Sequence, residues 1–464
     1  MAEQLAPDRV RLGGLTRRER PLGELRPAVR FAIVAALTAL CVAFSVWATT
    51  PWRSELSEAI GPVMAWAIPV VLAYIPGFLI GFLTFTLLTV PYRTPKLEPA
   101  AGPWPSGEWP AVTVIVAAWN EEAGIEATLE AVAAQTYAGP LEVVLADNNS
   151  TDRTAERALG VGERRGLRYR RVFEAQPGKH RTLNSALATV DTPLVVTVDA
   201  DTLLHRDALR YLIARVTNRP QDQHVCACAG ALVVLNAASN LLCRMQGWDF
   251  RLGINGVKLM QGAYNSALVA QGAFSAYWTD DLRAVGGWPD AIGEDIVLTW
   301  TLMASRGIVQ YEPCALAFTV APHEVKHFMR QRSRWARGMF ETLRTVPPMR
   351  QPRVLAKFVA GMDYLVPFLD IGYVFFWIPG FVLFLFGYPL LVSWVSMLVI
   401  PMAFIVYGML RRWQERHVFR RFDVHPKRDI RGFWGYLFAY RALTATASMR
   451  GYAQYLTGAA RNWR

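Results

Sequence analysis

The chain has 464 residues, a formal net charge of +12 and 53% hydrophobic residues. That length admits two or three domains, and the apolar excess collects towards both ends, which excludes a uniformly soluble protein. The basic residues flank the apolar stretches, so an anionic membrane surface and phosphorylated small molecules are the expected partners, and nucleic acid is not. Cys41, Cys226, Cys228, Cys243 and Cys314 show neither a disulfide framework nor zinc spacing. Cys226-x-Cys228 lies in an apolar run and reads as a reduced, buried strand segment, which fits a cytosolic middle domain.

Residues 1–30 form a basic arm with Arg9, Arg11, Arg17, Arg18, Arg20, Arg26 and Arg30. The apolar stretch that follows is too long for a cleavable signal. Residues 31–90 hold two candidate spanning helices, Phe31–Thr49 and Gly61–Val90, around a polar break at Pro51–Glu58. The arginine bias puts the N-terminus inside. Two crossings return the chain to the cytoplasm, where residues 91–108, rich in Pro and Gly, read as a linker.

Residues 109–318 read as an α/β domain. Strands are expected at Val112–Ala117, Leu141–Ala146 and Leu194–Val198, and helices at Glu121–Gln135, Thr154–Leu159 and Asp207–Val216. Such alternation predicts a Rossmann-like parallel sheet covered on both faces, with ligands at the carboxyl ends of its strands. The polar motifs fall at those ends. Asp147, in Ala146–Asp152, could accept from a base N–H or a ribose hydroxyl; a plain turn with Asp152 capping the next helix accounts for it equally. Gln176–Asn184 carries Gly178 and Lys179, which suit a close phosphate or sugar contact. Asp199 and Asp201, two residues apart at a strand end, are the oxygen donors that hold Mg²⁺ or Mn²⁺ against a diphosphate. Gly293-Glu294-Asp295 opens a helix expected at Ile296–Met303. Its carboxylates could complement the helix dipole or take a proton from an attacking hydroxyl.

His323-Glu324-Val325-Lys326-His327 matches a zinc-protease pattern but has no evident third ligand, and reads as a surface helix leading to the membrane. Residues 319–360 are expected to be interfacial helices carrying Gln331-Arg332-Ser333-Arg334-Trp335. Arginine forks suit phosphate oxygens and Trp335 offers a face to a sugar ring; a belt of Arg and Trp at the bilayer surface is the plainer alternative. Residues 361–410 hold two further candidate spans, Tyr364–Phe386 and Pro389–Met409, and 411–431 form a basic cytoplasmic loop. Residues 432–464 contain Arg441 and Arg450, and either lie along the interface or pack into the bundle as a fifth span.

In this order the motifs resemble the membrane-bound family 2 glycosyltransferases, which include cellulose, chitin, hyaluronan and poly-N-acetylglucosamine synthases. The resemblance covers roughly residues 110–340. It rests on Trp119-Asn120-Glu121-Glu122, Asp147, Lys179, Asp199-Ala200-Asp201, Gly293-Glu294-Asp295 and Gln331–Trp335. It implies a GT-A type domain inserted between transmembrane helices, in a multi-pass protein of the inner membrane with its catalytic domain cytoplasmic. It further implies inverting transfer from a UDP-sugar to a polysaccharide or lipid-linked acceptor. Asn120, Glu121, Asp147, Lys179 and Asp199 would bind the donor, and Asp199 and Asp201 the metal. Asp295 would be the general base. Gly272 (in Gln271–Phe274), Glu294, Gln331, Arg332, Arg334 and Trp335 would serve acceptor and diphosphate. Two departures are Asn148, where the family often has a second Asp, and Gly293, where it often has Thr or Asp. Four spans make a small export bundle, so a homo-oligomer or accessory subunit is expected. Single-sugar transfer to a membrane lipid and non-enzymatic binding of a nucleotide sugar are the competing classes.

Overall fold

The structure is a computed structural model that describes residues 27–90, 108–218, 223–305, 307–397, 399–424 and 429–459. Most of the basic arm (1–26), most of the linker (91–107), part of the basic loop (425–428) and the last five residues lie outside the described residues.

Eight strands form one sheet: β1 Val112–Ala118, β2 Leu141–Asp147, β3 Arg168–Phe173, β4 Leu194–Asp199, β5 Leu203–Leu204, β6 Val225–Val234, β7 Phe274–Trp278 and β8 Ile308–Thr319. Their order is β3-β2-β1-β4-β7-β6-β8-β5. β1, β2 and β4 are β-branched apolar runs buried along most of their length, as expected of parallel strands covered on both faces. The parallel register pairs Ala118 with Asp147 and Ala117 with Asp199, which brings the acidic residues to one edge of the sheet.

The sheet is mixed, a correction to the expected all-parallel arrangement. β7 runs antiparallel to both β4 and β6, β6 and β8 are parallel, and β5 is antiparallel to β8. A buried apolar run fixes that a segment is a strand but not its direction. β3, with sequence Arg-Tyr-Arg-Arg-Val-Phe, was not among the expected strands; it is the edge strand beyond β2, where charged side chains guard against further pairing. The expected helices are present as Ile125–Ala133, Thr154–Arg165, Ala208–Thr217 and Glu294–Ala304. Cys226 and Cys228 are free and buried in β6.

Among the described residues, three helices are long and apolar enough to cross a membrane: Pro27–Ala48, Pro62–Thr89 and Val354–Leu385. The third begins ten residues before the expected Tyr364. The expected span Pro389–Met409 corresponds to helical turns at Trp394–Met397 and helix Val399–His417, whose last turns are basic. The basic loop therefore starts as helix. The first two long helices dock on the sheet domain through Arg30, which donates to the Ala263 carbonyl (3.3 Å), and Thr86, which bonds the Tyr264 hydroxyl (2.9 Å). Phe31, Phe82 and Phe358 pack edge-on or tilted around the same contact. Helix Arg441–Leu456 packs against helix Val325–Thr345 and the third long helix: the Ser333 hydroxyl donates to the Ala447 carbonyl (2.8 Å), and Arg441 Nη2 donates to Asp370 Oδ1 (2.7 Å).

Candidate active site

The carboxyl ends of β1, β2 and β4 carry the polar groups that sequence singled out. After β1 the chain turns sharply at Asn120 (φ 55°), a left-handed conformation that Asn tolerates. The Asn120 side chain accepts from the Thr151 amide (2.8 Å), and its own amide donates to the Ser150 hydroxyl (3.0 Å). The Glu121 amide donates to the Thr154 hydroxyl (2.8 Å). Asp152 accepts from the Glu122 and Thr154 amides (3.0 Å each), so it ties the β1 turn to the next helix start. The Glu121 carboxyl is pushed up to about 7, by burial first and then by Asp201 and Asp199.

Asp147 is fully buried at the end of β2. Its Oδ1 accepts from the Ser150 amide (3.0 Å), and its Oδ2 accepts from both Nε (2.9 Å) and Nη2 of Arg171 on β3. Asn148 bridges to the segment before Lys179: its side chain donates to the Gln176 carbonyl (2.8 Å) and accepts from the Gly178 amide (2.9 Å). An Asp at 148 could not make the donor half of this bridge.

Lys179 joins the end of β4 to the helix that follows Gly293. Its Nζ lies 2.6 Å from Asp199 Oδ1 and 3.9 Å from Glu294 Oε1. Burial opposes its charge, but Asp199 and Glu294 outweigh it and hold the ammonium above its ordinary range. Gly272 leaves room for this contact: a Cβ there would sit 3.0 Å from Nζ. Glu294 is pushed up to about 7 by burial and the neighbouring Asp295, against the pull of Lys179 and Arg334. Asp201 is raised to about 6, chiefly by burial and then by Asp199. Among the described residues no set of three His, Cys, Asp or Glu is placed to hold a metal ion. The pair Asp199 and Asp201 offers hard oxygens only, the donor type of Mg²⁺ and Mn²⁺, which complete their shell with water and substrate phosphate.

Helix Val325–Thr345 lies over the turn at Gly293. Gly293 and Gly338 touch backbone to backbone: a Cβ on either would come within 2.9 Å of the other's Cα. On its opposite side the helix meets Gly451, where a Cβ would strike the Ser333 carbonyl. Arg334 and Trp335 are exposed, Trp335 by 40%. Gln331 has a buried Oε1 that makes no hydrogen bond. Arg332 is placed differently from its neighbours. Its guanidinium is buried, bonded to Tyr440 (2.7 Å) and Asp249 (3.0 Å), and sits 4.2 Å over the Trp335 ring. Trp335, Arg332, Asp249 and Tyr440 border a cavity of about 580 Å³ between the helices.

His323 precedes that helix and His327 lies within it, so the two do not share a helix face as a zinc-protease pair must. Sequence reasoning missed Arg171, hidden in a polar edge strand, and Lys258. Lys258 is buried on helix Asn255–Ala263, and burial pulls it down to about 7 against the charges of Asp295 and Cys228. A lone Lys among apolar residues on a helix gives no local signal of its partner.

The mixed sheet with acidic strand ends is a GT-A-like glycosyltransferase fold. Residues 110–338 match glycosyltransferase like family 2, so the chain carries a family 2 glycosyltransferase domain. An N-acetylglucosaminyltransferase of Mesorhizobium japonicum is 30% identical over 283 residues, 56% of this chain and 65% of that protein. The poly-beta-1,6-N-acetyl-D-glucosamine synthase of Staphylococcus aureus is 29% identical over 237 residues, 51% and 56% of the two chains. The match therefore spans less than two thirds of either relative's length. A mannosyltransferase from Pyrobaculum calidifontis, solved with GDP-Man and Mn²⁺, shares the fold: TM-score 0.56 at 18% identity, covering 88% of this chain and all of that one.

Proposed function

We propose that the chain transfers a sugar from a UDP-sugar, with inversion, to a growing polysaccharide at the inner face of a membrane, processively and coupled to export. The observation that carries this reading is the Asp199–Lys179–Glu294 chain, which links the donor end of the sheet to the turn beneath the Gln331–Trp335 helix. N-acetylglucosamine is the first donor sugar to test, because the relatives above are named for it.

In this reading Asn120, Glu121 and the Asp147 region hold the nucleoside, and Asp199 and Asp201 hold a divalent metal. That metal would supply positive charge to the diphosphate. Lys179 and Arg334 add fixed positive charge where the leaving group's negative charge grows. Asp295, at the first turn of its helix, takes the proton from the attacking acceptor hydroxyl. Attack from the face opposite the diphosphate inverts the anomeric carbon and needs no enzyme nucleophile. Gln331 and Trp335 position the acceptor at the cavity mouth, and Arg332, held by Asp249 and Tyr440, supports Trp335 from beneath. The long apolar helices support a site at a bilayer surface, and the charge bias supports an arginine-rich arm and loop on the inner side. An oligomer or accessory subunit would complete an export path.

One observation favours single-sugar transfer to a membrane lipid instead: Leu72, Leu79, Ile80, Val366 and Leu369 make much of the cavity wall aliphatic. Incubating the protein in lipid with labelled UDP-sugars and sizing the product separates the two. A polymer is expected, and Trp335→Ala should shorten it. One sugar on a lipid would establish the alternative, and no turnover of any donor with Mg²⁺ or Mn²⁺ would leave a binding protein.

A further inference from the structure

We propose that Lys258 is a positioning residue for sugar transfer, the buried counter-charge that holds the Asp295 carboxylate ionised and ready for the acceptor's proton. The inference rests on the reading of Asp295 as the base and deepens it.

Helix Asn255–Ala263 buries three polar side chains, Asn255, Lys258 and Gln261. Two of them have a structural task. Asn255 Nδ2 donates to the Leu232 carbonyl near the end of β6 (2.8 Å), and Gln261 Oε1 accepts from the Leu268 amide (3.1 Å). Lys258 is only 6% exposed and makes no hydrogen bond or ion pair among the described residues. Burying an ammonium without a bonded partner costs stability, and lysine is almost never so buried for packing alone. A lysine kept there at a cost, beside one specific carboxylate, marks a functional group.

That carboxylate is Asp295. The segment between Tyr264 and Gly272 ties the two helices together. Its Leu268 amide bonds Gln261, and its Ala270 amide donates to Thr299 Oγ1 (2.9 Å), whose hydroxyl donates to the Asp295 carbonyl (2.6 Å). The charge of Asp295 acts on Lys258 first and the Cys228 thiol second. The other ionisable groups around the helix are engaged elsewhere. Arg30 bonds the Ala263 carbonyl, Glu312 pairs with Arg215, Arg411 pairs with Glu415, and Arg251 lies between the rings of Trp248 and Phe419. Tyr311 packs on Gly262 and carries no positive charge.

Asp295 is half-buried. Its Oδ1 accepts from the Ile296 amide (2.8 Å), and Oδ2 makes no hydrogen bond among the described residues. Lys179, Glu294 and the Tyr277 phenol also feel its charge. Of these only Lys179 is a cation, and it is bonded to Asp199. Lys258 is the cation with no other carboxylate to serve. Burial lowers it to about 7 against Asp295 and Cys228, so below that pH it carries its proton. A positive charge there favours carboxylate over carboxylic acid. Asp295 then stays ionised to lower pH, and it releases the acceptor's proton to solvent more readily after each transfer.

The test is the pH profile of kcat for the full chain in lipid nanodiscs, at saturating UDP-N-acetylglucosamine with Mn²⁺. Lys258→Met should move the acid limb up by about one pH unit, the lower end of what a neighbouring opposite charge does, and leave UDP affinity as in wild type. Lys258→Arg keeps the charge and should keep the wild-type limb. A purely structural role would lower kcat by one factor at every pH with the limb in place, and that result overturns the inference. A second measurement needs no turnover: unfolding temperatures of Lys258→Met, Asp295→Asn and the double variant below pH 7, where Lys258 is charged. The shifts should fail to add, because the two side chains interact. Additive shifts would overturn this inference and leave the sugar-transfer reading standing. If the wild type turns over no UDP-sugar, that reading falls and takes the inference with it.

Discussion

The sheet domain and the helical bundle treat charge in opposite ways. At the strand ends Arg171, Lys179 and Asp199 keep part of their side chains open to solvent. In the bundle two acid–arginine–tyrosine sets pair within themselves, with only Arg441 left 40% exposed. Asp249, Arg332 and Tyr440 bond one another at 2.7–3.0 Å, and Asp370 takes Arg441 and Tyr452 at 2.7 Å each. Both sets face the same cavity. Self-paired charge in an apolar setting fixes how helices meet, whereas charge left with open valence awaits a ligand. The distinction implies that substitutions at strand ends alter turnover and binding first, and those in the bundle alter stability first.

The largest effect should come from removing metal. Excess chelator is expected to abolish turnover, and Mn²⁺ or Mg²⁺ to restore it; full turnover under chelation would break the assignment of Asp199 and Asp201. Next is Asp295→Asn, which keeps shape but loses the proton acceptor. Its kcat should fall about 10²- to 10⁴-fold with UDP affinity little changed; near-normal turnover would move the base to Glu294. On the other side of the comparison, Asp249→Leu strands the Arg332 charge and should cost about 3–5 kcal/mol of stability, read as a lowered unfolding temperature. An unfolding temperature equal to wild type would show that this set does not hold the bundle.

The smallest effect is a slope with pH. Lys258 has an ordinary value of 10.5 and is lowered to about 7 when folded, so the unfolded chain binds the extra proton between those limits. Stability at this site therefore rises as pH climbs from 7 to 10.5. Lys258→Met should unfold at a higher temperature than wild type at pH 7, with the gap narrowing towards pH 10. A gap independent of pH would show that the charge of Lys258 is not the cause.

The strands β1, β2 and β4 were legible because each is dominated by β-branched and aliphatic residues, and the motifs at their ends could be placed from sequence spacing. The rest was hidden for particular reasons. β3 alternates Arg with Tyr and Val and resembles a solvated segment until its edge position is known. The partner of Asp147 lies 24 residues away and meets it only through strand pairing. The arginines of 411–431 read as a loop by their charge but carry no veto on helix, so Val399–His417 runs through Arg411, Arg412 and Arg416. Arg332, one residue from Gln331, reads as part of the same ligand-facing stretch; the helical period turns it instead towards Asp249 and Tyr440.

The glycine contact between 293 and 338 also sets limits on recombination. Neither position has room for a carbon atom beyond Cα, so the turn bearing Asp295 and the helix bearing Trp335 are fitted to each other and not to a common standard. A chimera that imports only the turn, with a side chain such as Thr or Asp at position 293, would drive that side chain into the Gly338 backbone and prise the helix away. The smallest segment exchangeable between such enzymes is the turn and helix together, and Gly451 extends that unit to the face of the last helix.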